Sequence, residues 1–398
     1  MSMGKIIVSG AGCALADYLY PQVSFDSPEF RKYLSLKPGD GGLSPGKLVF
    51  MEELEVFAGS SYRKILDEIT GGRPPASFNI GGPGLVSMIH VAQMLGSEGF
   101  EVCFHGLTGN DDTASRIFSL LENTPLDIAG YKRGSERATP FTDVFSDPDY
   151  DNGHGERTFV NNIGAAWDLL PGNLSESFFE SDIVCFGGTA IVPQIHDHLD
   201  DLLVRAKSKG CITVVNTVYD FRNEKARPGE RWPLVSEENF RSIDVLVMDR
   251  EEALKISGTG TLSDAASYFR ETGVSSFFLT NGAEPITVFS DGRLFSGCAI
   301  SNYPVSRMVA SSSNPRGDTT GCGDNFAGGL IASLAEQLNS GRRKELNLTK
   351  AFSWAVASGG FACFYIGGTY FESSAGEKRR KVEEFLKDYH KQMTAEQY

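Results

Sequence analysis

The sequence lacks the marks of several large classes of protein. No two of its seven cysteines stand at CxxC spacing, and their number is odd, which argues against both a zinc ribbon and a disulfide scaffold. Reduced, buried thiols in a cytoplasmic protein are the expectation that remains. None of the six histidines forms an HExxH, and His196 and His198 lie in an acidic stretch (DHLDD) that reads as solvated surface. No apolar run reaches 18 residues, so no membrane span is expected. The start has one Lys and a short apolar run, and no cleaved secretory signal is expected there. Positive charge is scarce: Lys plus Arg number 37 against 51 Asp plus Glu, a formal net charge of −14, so general electrostatic binding of nucleic acid is excluded. What is present is ordinary for a folded chain. With 41% apolar and 22% charged residues over 398 positions, extended disorder is ruled out and a large core is allowed.

Short β-rich apolar runs recur at 5–9 (KIIVS), 101–105 (EVCFH), 182–186 (DIVCF), 211–215 (CITVV), 244–248 (DVLVM) and 276–280 (SFFLT). Helix-like segments lie between the later ones, at 195–209 and 263–272, the second opening at Ser263 and closing at Gly273. Strand, helix, strand at this spacing predicts an α/β fold with a mostly parallel sheet covered on both faces. Ligands bind such sheets beyond the carboxyl ends of the strands. Asn216, Asp249, Thr280 and the stretch after Arg316 therefore draw attention. Two segments break the rhythm. Residues 18–78 are rich in Gly and Pro (PGDGGLSPG), and 139–163 alternate around a turn-rich centre (DPDYDNGHG) that reads as a β-hairpin. Together they are expected to form a small second layer inserted in one domain spanning 1–398. The charged run at 378–381 (KRRK) is expected on the solvated face of a C-terminal helix.

Some glycine motifs mislead. GGLSPGKL at 41–48 satisfies GxxxxGK but ends in Leu48, where a phosphate loop needs a hydroxyl, and no apolar strand precedes it. Gly10 and Gly12 follow a strand, but Leu15 stands at the third Gly of GxGxxG, so a dinucleotide site rests on an incomplete motif. Asp17 is a single carboxylate in the apolar run after that first strand, readable as a surface residue or as a ligand group. NIGGPG at 79–84 precedes a helical run, and its paired Gly81 and Gly82 allow either a turn or close approach of backbone to a ligand. The richest stretch is GDTTGCGDNFAGGL at 317–330. Gly321, Cys322 and Gly323 precede a helix expected from about Asp324 to Gln337, and successive N–H groups at a helix start make a nest for an anion. A carboxylate at its edge, Asp324, is placed to accept a proton from a hydroxyl, as phosphoryl transfer requires. The same residues also read as a Gly-rich turn with an acidic residue matched to the helix dipole.

At this point the chain resembles the ribokinase-like (PfkB) carbohydrate kinases. DTTGCGDNF at 318–326 looks like that family's C-terminal signature, and the likeness extends over most of the chain. GAGCALAD at 10–17 looks like its first strand. FHGLTGNDDTASRI at 104–117, GERTFVNNIGAAWDL at 155–169, DREEALKISG at 249–258 and TNGAEP at 280–285 are similar to its later segments, and FRKYLSLKPGD at 30–40 resembles part of the adenosine-kinase branch. The resemblance implies a three-layer α/β/α sandwich with a small β lid formed by 18–78 and 139–163. It implies ATP as co-substrate with Mg²⁺, and Asp324 as the base. It implies the backbone of Gly321, Cys322 and Gly323 as the anion hole, and Asp17, Gly81 and Gly82 as holders of sugar hydroxyls. Asn216, Asp249, Thr280 and Gly282 would face the nucleotide, with Glu252 and Asp249 at Mg²⁺. Asp318 and Thr320 match positions that hold a monovalent cation such as K⁺ in some members.

The sequence also departs from the family pattern. Val86 stands where an Asn that binds a substrate hydroxyl is expected. Asp249 replaces the Asn of NxxE, Pro285 the last Gly of TxGxxG, and Cys322 the usual Ala. The expected activity is an ATP-dependent kinase acting on a small-molecule sugar, without nucleic acid or membrane partners. An unpaired edge strand of the lid would favour a homodimer. The rival readings are a nucleoside kinase, which Val86 and 30–40 favour, and a non-catalytic sugar- or nucleotide-binding protein on the same fold. A NAD-dependent oxidoreductase rests on Gly10 and Gly12 alone.

Overall fold

The apolar runs become strands because they are apolar on both faces, and a strand shows alternate side chains to opposite sides of a sheet. In the computed structural model of the chain, the described residues are 4–37, 39–310 and 319–395. Among them, fourteen strands form two sheets. These are β1 (Ile6–Gly12), β2 (Leu15–Pro21), β3 (Leu48–Phe50), β4 (Ser77–Gly81), β5 (Phe100–Gly109), β6 (Asp127–Ser135), β7 (Phe141–Asp147), β8 (Glu156–Asn162), β9 (Ile183–Gly187), β10 (Ile212–Asn216), β11 (Val245–Asp249), β12 (Ser276–Asn281), β13 (Glu284–Ser290) and β14 (Cys298–Tyr303). All six expected strands lie in the larger sheet, whose order is β14-β13-β12-β11-β10-β9-β1-β5-β6. Its neighbours are parallel except at the β12/β13 and β13/β14 pairs. Along β11, Val245 and Val247 enter one apolar cluster while Leu246 and Met248 enter the other. On β12, Phe278 parts from Phe277 and Leu279 in the same way.

Helices cover both faces, giving three α/β/α layers. Pro83–Leu95, Cys322–Asn339, Leu348–Ala362 and Glu377–Ala395 pack on the first face, where Met88, Ile331, Phe352 and Phe385 join one cluster. Leu199–Ser208, Arg250–Ser257 and Leu262–Glu271 pack on the second through Leu202, Ala253 and Phe269. From β1 the chain builds outward in both directions, first to β5 and β6, later to β9 and beyond, so the order reverses beside β1. Crevices form at such switch points. Here the strand ends meet very closely: a Cβ on Gly12 (φ 141°) would lie 1.9 Å from the Gly187 carbonyl oxygen, so only glycine fits.

The smaller sheet, ordered β3-β8-β7-β2-β4, is the expected second layer. β7 and β8 form the expected hairpin, with Phe141 opposite Asn162 and Asp147 opposite Glu156. The 18–78 segment supplies β3, parts of β2 and β4 and short helices, and its Phe25, Phe30, Leu54 and Ile65 share a separate core with Phe145 of β7. β1 runs through Cys13 and Ala14 into β2, not into a helix, which removes the dinucleotide reading. A Cβ on Gly10 would meet Met88, so that glycine serves packing. Lys47 of GGLSPGKL is exposed just before β3, so no phosphate loop forms there.

Other expectations need correction. The helix expected at 195–209 is two, Pro193–Asp197 and Leu199–Ser208, parted at His198. His198 is exposed, but His196 is only 6% exposed. Its Nδ1 lies 3.0 Å from the Thr189 hydroxyl and its Nε2 3.0 Å from the Pro233 carbonyl and 3.5 Å from Asp220. The cap of Leu262–Glu271 is the Thr261 hydroxyl, which accepts from the Asp264 N–H, and not Ser263. Lys378, expected in water, is 1% exposed. The cysteines form no disulfide, and among the described residues no helix is long and apolar enough to cross a membrane.

Candidate active site

The signature residues open the helix Cys322–Asn339. Its N-cap, Gly321, has φ 72°, and a Cβ there would lie 2.6 Å from the Gly368 Cα, so glycine is required on both conformational and steric grounds. The Asn325 N–H donates to the Gly321 carbonyl at 2.8 Å. Gly323 and Asp324 follow in the first turn, whose N–H groups have no partner within the helix and carry its positive end. Cys322 differs from expectation: its N–H donates to the Thr319 carbonyl at 3.3 Å, and its Sγ lies 3.3 Å from that of Cys363. Asp324 accepts from Asn216 Nδ2, at the end of β10, at 3.3 Å. Burial pushes its carboxyl from an ordinary 3.8 up to about 6, and the Asn216 bond opposes that shift.

Asp17 lies across the crevice on β2, opposite Asn79 of β4, and is buried. A Cβ on Gly81 would lie 2.2 Å from Asp17 Oδ2, so the carboxylate sits directly over that glycine. Gly82, with φ 90°, begins the helix Pro83–Leu95. Burial first, then the charges of Asp324 and Asp17, hold the Cys13 thiol well above its ordinary value. Both carboxylates therefore act on one buried atom between the two sheets. Val86 is 1% exposed and packs toward Gly368, so it forms part of the wall beneath the site instead of an open face toward a ligand.

On the other flank, Asn216 and Asp249 end β10 and β11, Thr280 lies one residue before the end of β12, and Asp249 pairs with Thr280 in register. Gly282 follows in the β12–β13 turn with φ 59°. Asp249 caps the helix Arg250–Ser257: its Oδ1 accepts from the Glu252 N–H at 2.8 Å, while Glu252 Oε2 accepts from the Asp249 N–H at 3.1 Å and from the Thr217 hydroxyl at 2.6 Å. Asp249 is exposed. Glu252 is buried, and burial, then the Asp249 charge, push its carboxyl up. These carboxylate and hydroxyl oxygens are the hard donors that suit Mg²⁺. Thr280 donates to the Met248 carbonyl only at 3.5 Å. Of the two monovalent-cation candidates, Asp318 lies outside the described residues. The Thr320 hydroxyl accepts from Arg157 Nη1 at 2.9 Å, so a cation there would have to share that oxygen with a guanidinium.

Three groups at the site were not singled out from sequence. Arg157, inside the GERTF segment, links β8 of the smaller sheet to Thr320. Thr217 follows Asn216 and holds Glu252. Asn325, inside the signature, joins His90, Tyr365 and Lys378 behind the helix start. Only the first and last lay within motifs that sequence reading had marked.

The sequence pattern described as pfkB family carbohydrate kinase matches residues 74–374. Among solved structures, a ribokinase from Thermotoga maritima is 19% identical and superposes with a TM-score of 0.60, covering 96% of this chain and 99% of that one. An adenosine kinase from Schistosoma mansoni in complex with 2-fluoroadenosine is 17% identical with a TM-score of 0.67, covering 92% and 97%. A probable sugar kinase from Rhizobium etli is 16% identical with a TM-score of 0.66, covering 96% and 99%. At these identities the likeness establishes the ribokinase-like fold.

Proposed function

Since the chain belongs to the pfkB family of carbohydrate kinases, and is thereby a phosphotransferase, we propose that it transfers the γ-phosphoryl group of ATP to a hydroxyl of a sugar. The observation that carries this reading is Asp324, a buried carboxylate in the first turn of the helix Cys322–Asn339 that accepts from Asn216 at the end of β10. In this reading Asp17 and the backbone at Gly81 and Gly82 hold and orient sugar hydroxyls. Asp324 takes the acceptor's proton as the new oxygen–phosphorus bond forms. The bond between the γ-phosphorus and the bridging oxygen breaks, and ADP leaves with that electron pair. The N–H groups at Gly321 and Gly323 meet the charge on the transferred group, with the helix dipole behind them, and that of Cys322 joins them only by leaving the Thr319 carbonyl. Asn216, Asp249, Thr280 and Gly282 line the nucleotide flank. Mg²⁺, which Asp249 and Glu252 would hold, supplies neutralisation of phosphate charge. A monovalent cation at Asp318 and Thr320 stays a further element of the proposal.

A carboxyl lifted to about 6 suits the base, because it is largely ionised at neutral pH yet keeps appreciable proton affinity. The small sheet and its helices stand over the crevice as a lid that excludes water, the competing acceptor. A nucleoside acceptor is the second reading. It is kept because an adenosine kinase superposes as well as a probable sugar kinase does, 0.67 and 0.66. A panel of pentoses, hexoses, their phosphates and nucleosides, with ADP release as readout, tests the proposal. Acceptor-dependent release with a sugar supports it, release only with a nucleoside supports the second reading, and no acceptor-dependent release contradicts both in favour of a binding protein.

A further inference from the structure

Two of the seven cysteines meet at the candidate site. Cys322 opens the helix Cys322–Asn339, and Cys363 caps the end of Leu348–Ala362. Their Sγ atoms lie 3.3 Å apart, although 41 positions separate them in the chain. Contacts on either side hold the two segments together. Gly321 packs against Gly368, and a Cβ on Gly359 would lie 3.0 Å from the Cys322 carbonyl oxygen. Asn325 Nδ2 donates to the Gly321 carbonyl at 2.8 Å and to the Gly368 carbonyl at 3.0 Å. Both cysteines are only partly buried, so a small oxidant reaches them. The other thiols are placed differently. Cys13, Cys185 and Cys211 are buried. Burial, then the charges of Asp127 and Glu101, push the Cys103 thiol up to about 12, away from the reactive thiolate. Cys298, on the edge strand β14, lies 3.7 Å from the Tyr303 hydroxyl.

A disulfide needs its sulfurs about 2.0 Å apart, so the pair closes by a movement of roughly 1.3 Å. Hydrogen peroxide can supply the oxidation. One thiolate attacks the O–O bond: a sulfur–oxygen bond forms, the O–O bond breaks, and the departing oxygen keeps the electron pair and takes a proton to become water. The second thiol then attacks that sulfur. The S–S bond forms, the sulfur–oxygen bond breaks, and a second water leaves. The two sulfurs together lose two electrons, and the peroxide gains them. The bond reaches the phosphate turn. The Cys322 N–H donates to the Thr319 carbonyl at 3.3 Å and joins the anion hole only by turning away from it. A disulfide ties Cys322 to the end of Leu348–Ala362, where the Cys363 N–H donates to the Gly360 carbonyl at 3.3 Å. The tethered peptide no longer follows the transferred phosphate, and Gly321 and Gly323 are left to meet its charge. Loss of one such donor costs on the order of 10²–10³ in kcat.

We propose that Cys322 and Cys363 form a site of reversible oxidation, at which a hydroperoxide closes a disulfide and withdraws one donor from the anion hole. The inference rests on the phosphotransferase reading, so its first measurement does not depend on turnover. Reduced protein is exposed to hydrogen peroxide, the remaining thiols are alkylated, and the peptides are weighed. Peptides joined through Cys322 and Cys363 are expected, and dithiothreitol should separate them. In step with the joined peptides, kcat should fall by roughly 100-fold and return on reduction. Cys363→Ala and Cys363→Ser should match the reduced parent in kcat and should escape the reversible loss under the same exposure. Cys298→Ala should respond as the parent does. Absence of the joined peptides in the parent overturns the proposal, and that result needs no variant to fold. So does a fully joined parent with kcat within twofold of the reduced protein. So does Cys363→Ala that loses activity as fast and as reversibly as the parent, since the pair is then not required. A reduced parent without kinase activity defeats the phosphotransferase reading alone, and the joined peptides still decide whether the pair is an oxidation site.

Discussion

Acidification should inactivate the protein along a limb near pH 6, and removing Asn216 should move that limb upward. Asp324 accepts a proton only as a carboxylate. Burial lifts it to about 6, while the Asn216 Nδ2 bond, made to the charged form, pulls it down. In the parent, kcat/KM for the best acceptor should be flat above the limb and fall about tenfold per pH unit below it. A hydrogen bond of this kind is worth on the order of 0.5–1.5 kcal/mol. One pKa unit corresponds to about 1.4 kcal/mol, so Asn216→Ala should raise the limb by roughly half to one unit. The assay is initial-rate ADP release across a pH series at constant ionic strength. The ionisation of ATP is common to both proteins, so the difference between their profiles is the readout. A parent limb at the ordinary carboxylate value, or an identical limb in Asn216→Ala, refutes the reasoning.

Three further outcomes are expected. Asp249→Asn keeps an oxygen to cap Arg250–Ser257 but removes a charge, so the dependence of rate on free Mg²⁺ should weaken while kcat at saturating metal stays within about tenfold, roughly 1.4 kcal/mol. An unchanged Mg²⁺ titration would show that Asp249 does not serve the metal. Bound acceptor should slow amide exchange in β2, β7 and β8 more than ATP does, and equal protection by both ligands would count against a lid over the acceptor. Gly12→Ala drives a Cβ into the Gly187 carbonyl and should lower stability by about 1–3 kcal/mol, seen as a reduced melting temperature, whereas a parent-like melt would deny the close approach.

The parallel strands were legible because residues such as those at 244–248 are buried on both faces and leave an unbroken apolar run. β6, β13 and β14 were not. β6 carries Gly, Lys and Arg, and β14 at the sheet edge is only partly buried, so neither shows a continuous run. The hairpin at β7 and β8 was readable from alternation around its turn, but β3, at three residues, is too short for any pattern. Asp17, Asn216, Asp249 and Asp324 stood out because strand ends and glycine-rich turns are where an α/β sheet exposes polar groups. Lys378 gave no such signal. Its burial depends on Asn325, 53 residues away, and a basic residue among other basic residues looks solvated until the fold supplies that partner. His196 misled in the same way, since Asp220 and Pro233, which its Nε2 approaches, are remote from its acidic neighbours in sequence.

The most direct test of the central claim is single-turnover transfer by Asp324→Asn. Asn has nearly the size of Asp, can still bond the acceptor hydroxyl, and is tolerated near a helix start, but it cannot take a proton. The account predicts a folded variant with parent-like ATP binding and near-parent acceptor affinity, whose transfer step is slower by on the order of 10²–10⁴, the usual share of general base catalysis. A folded variant that transfers phosphate within fivefold of the parent would contradict it. Asp324 would then be an acidic residue matched to the helix dipole, and the base would have to be sought elsewhere.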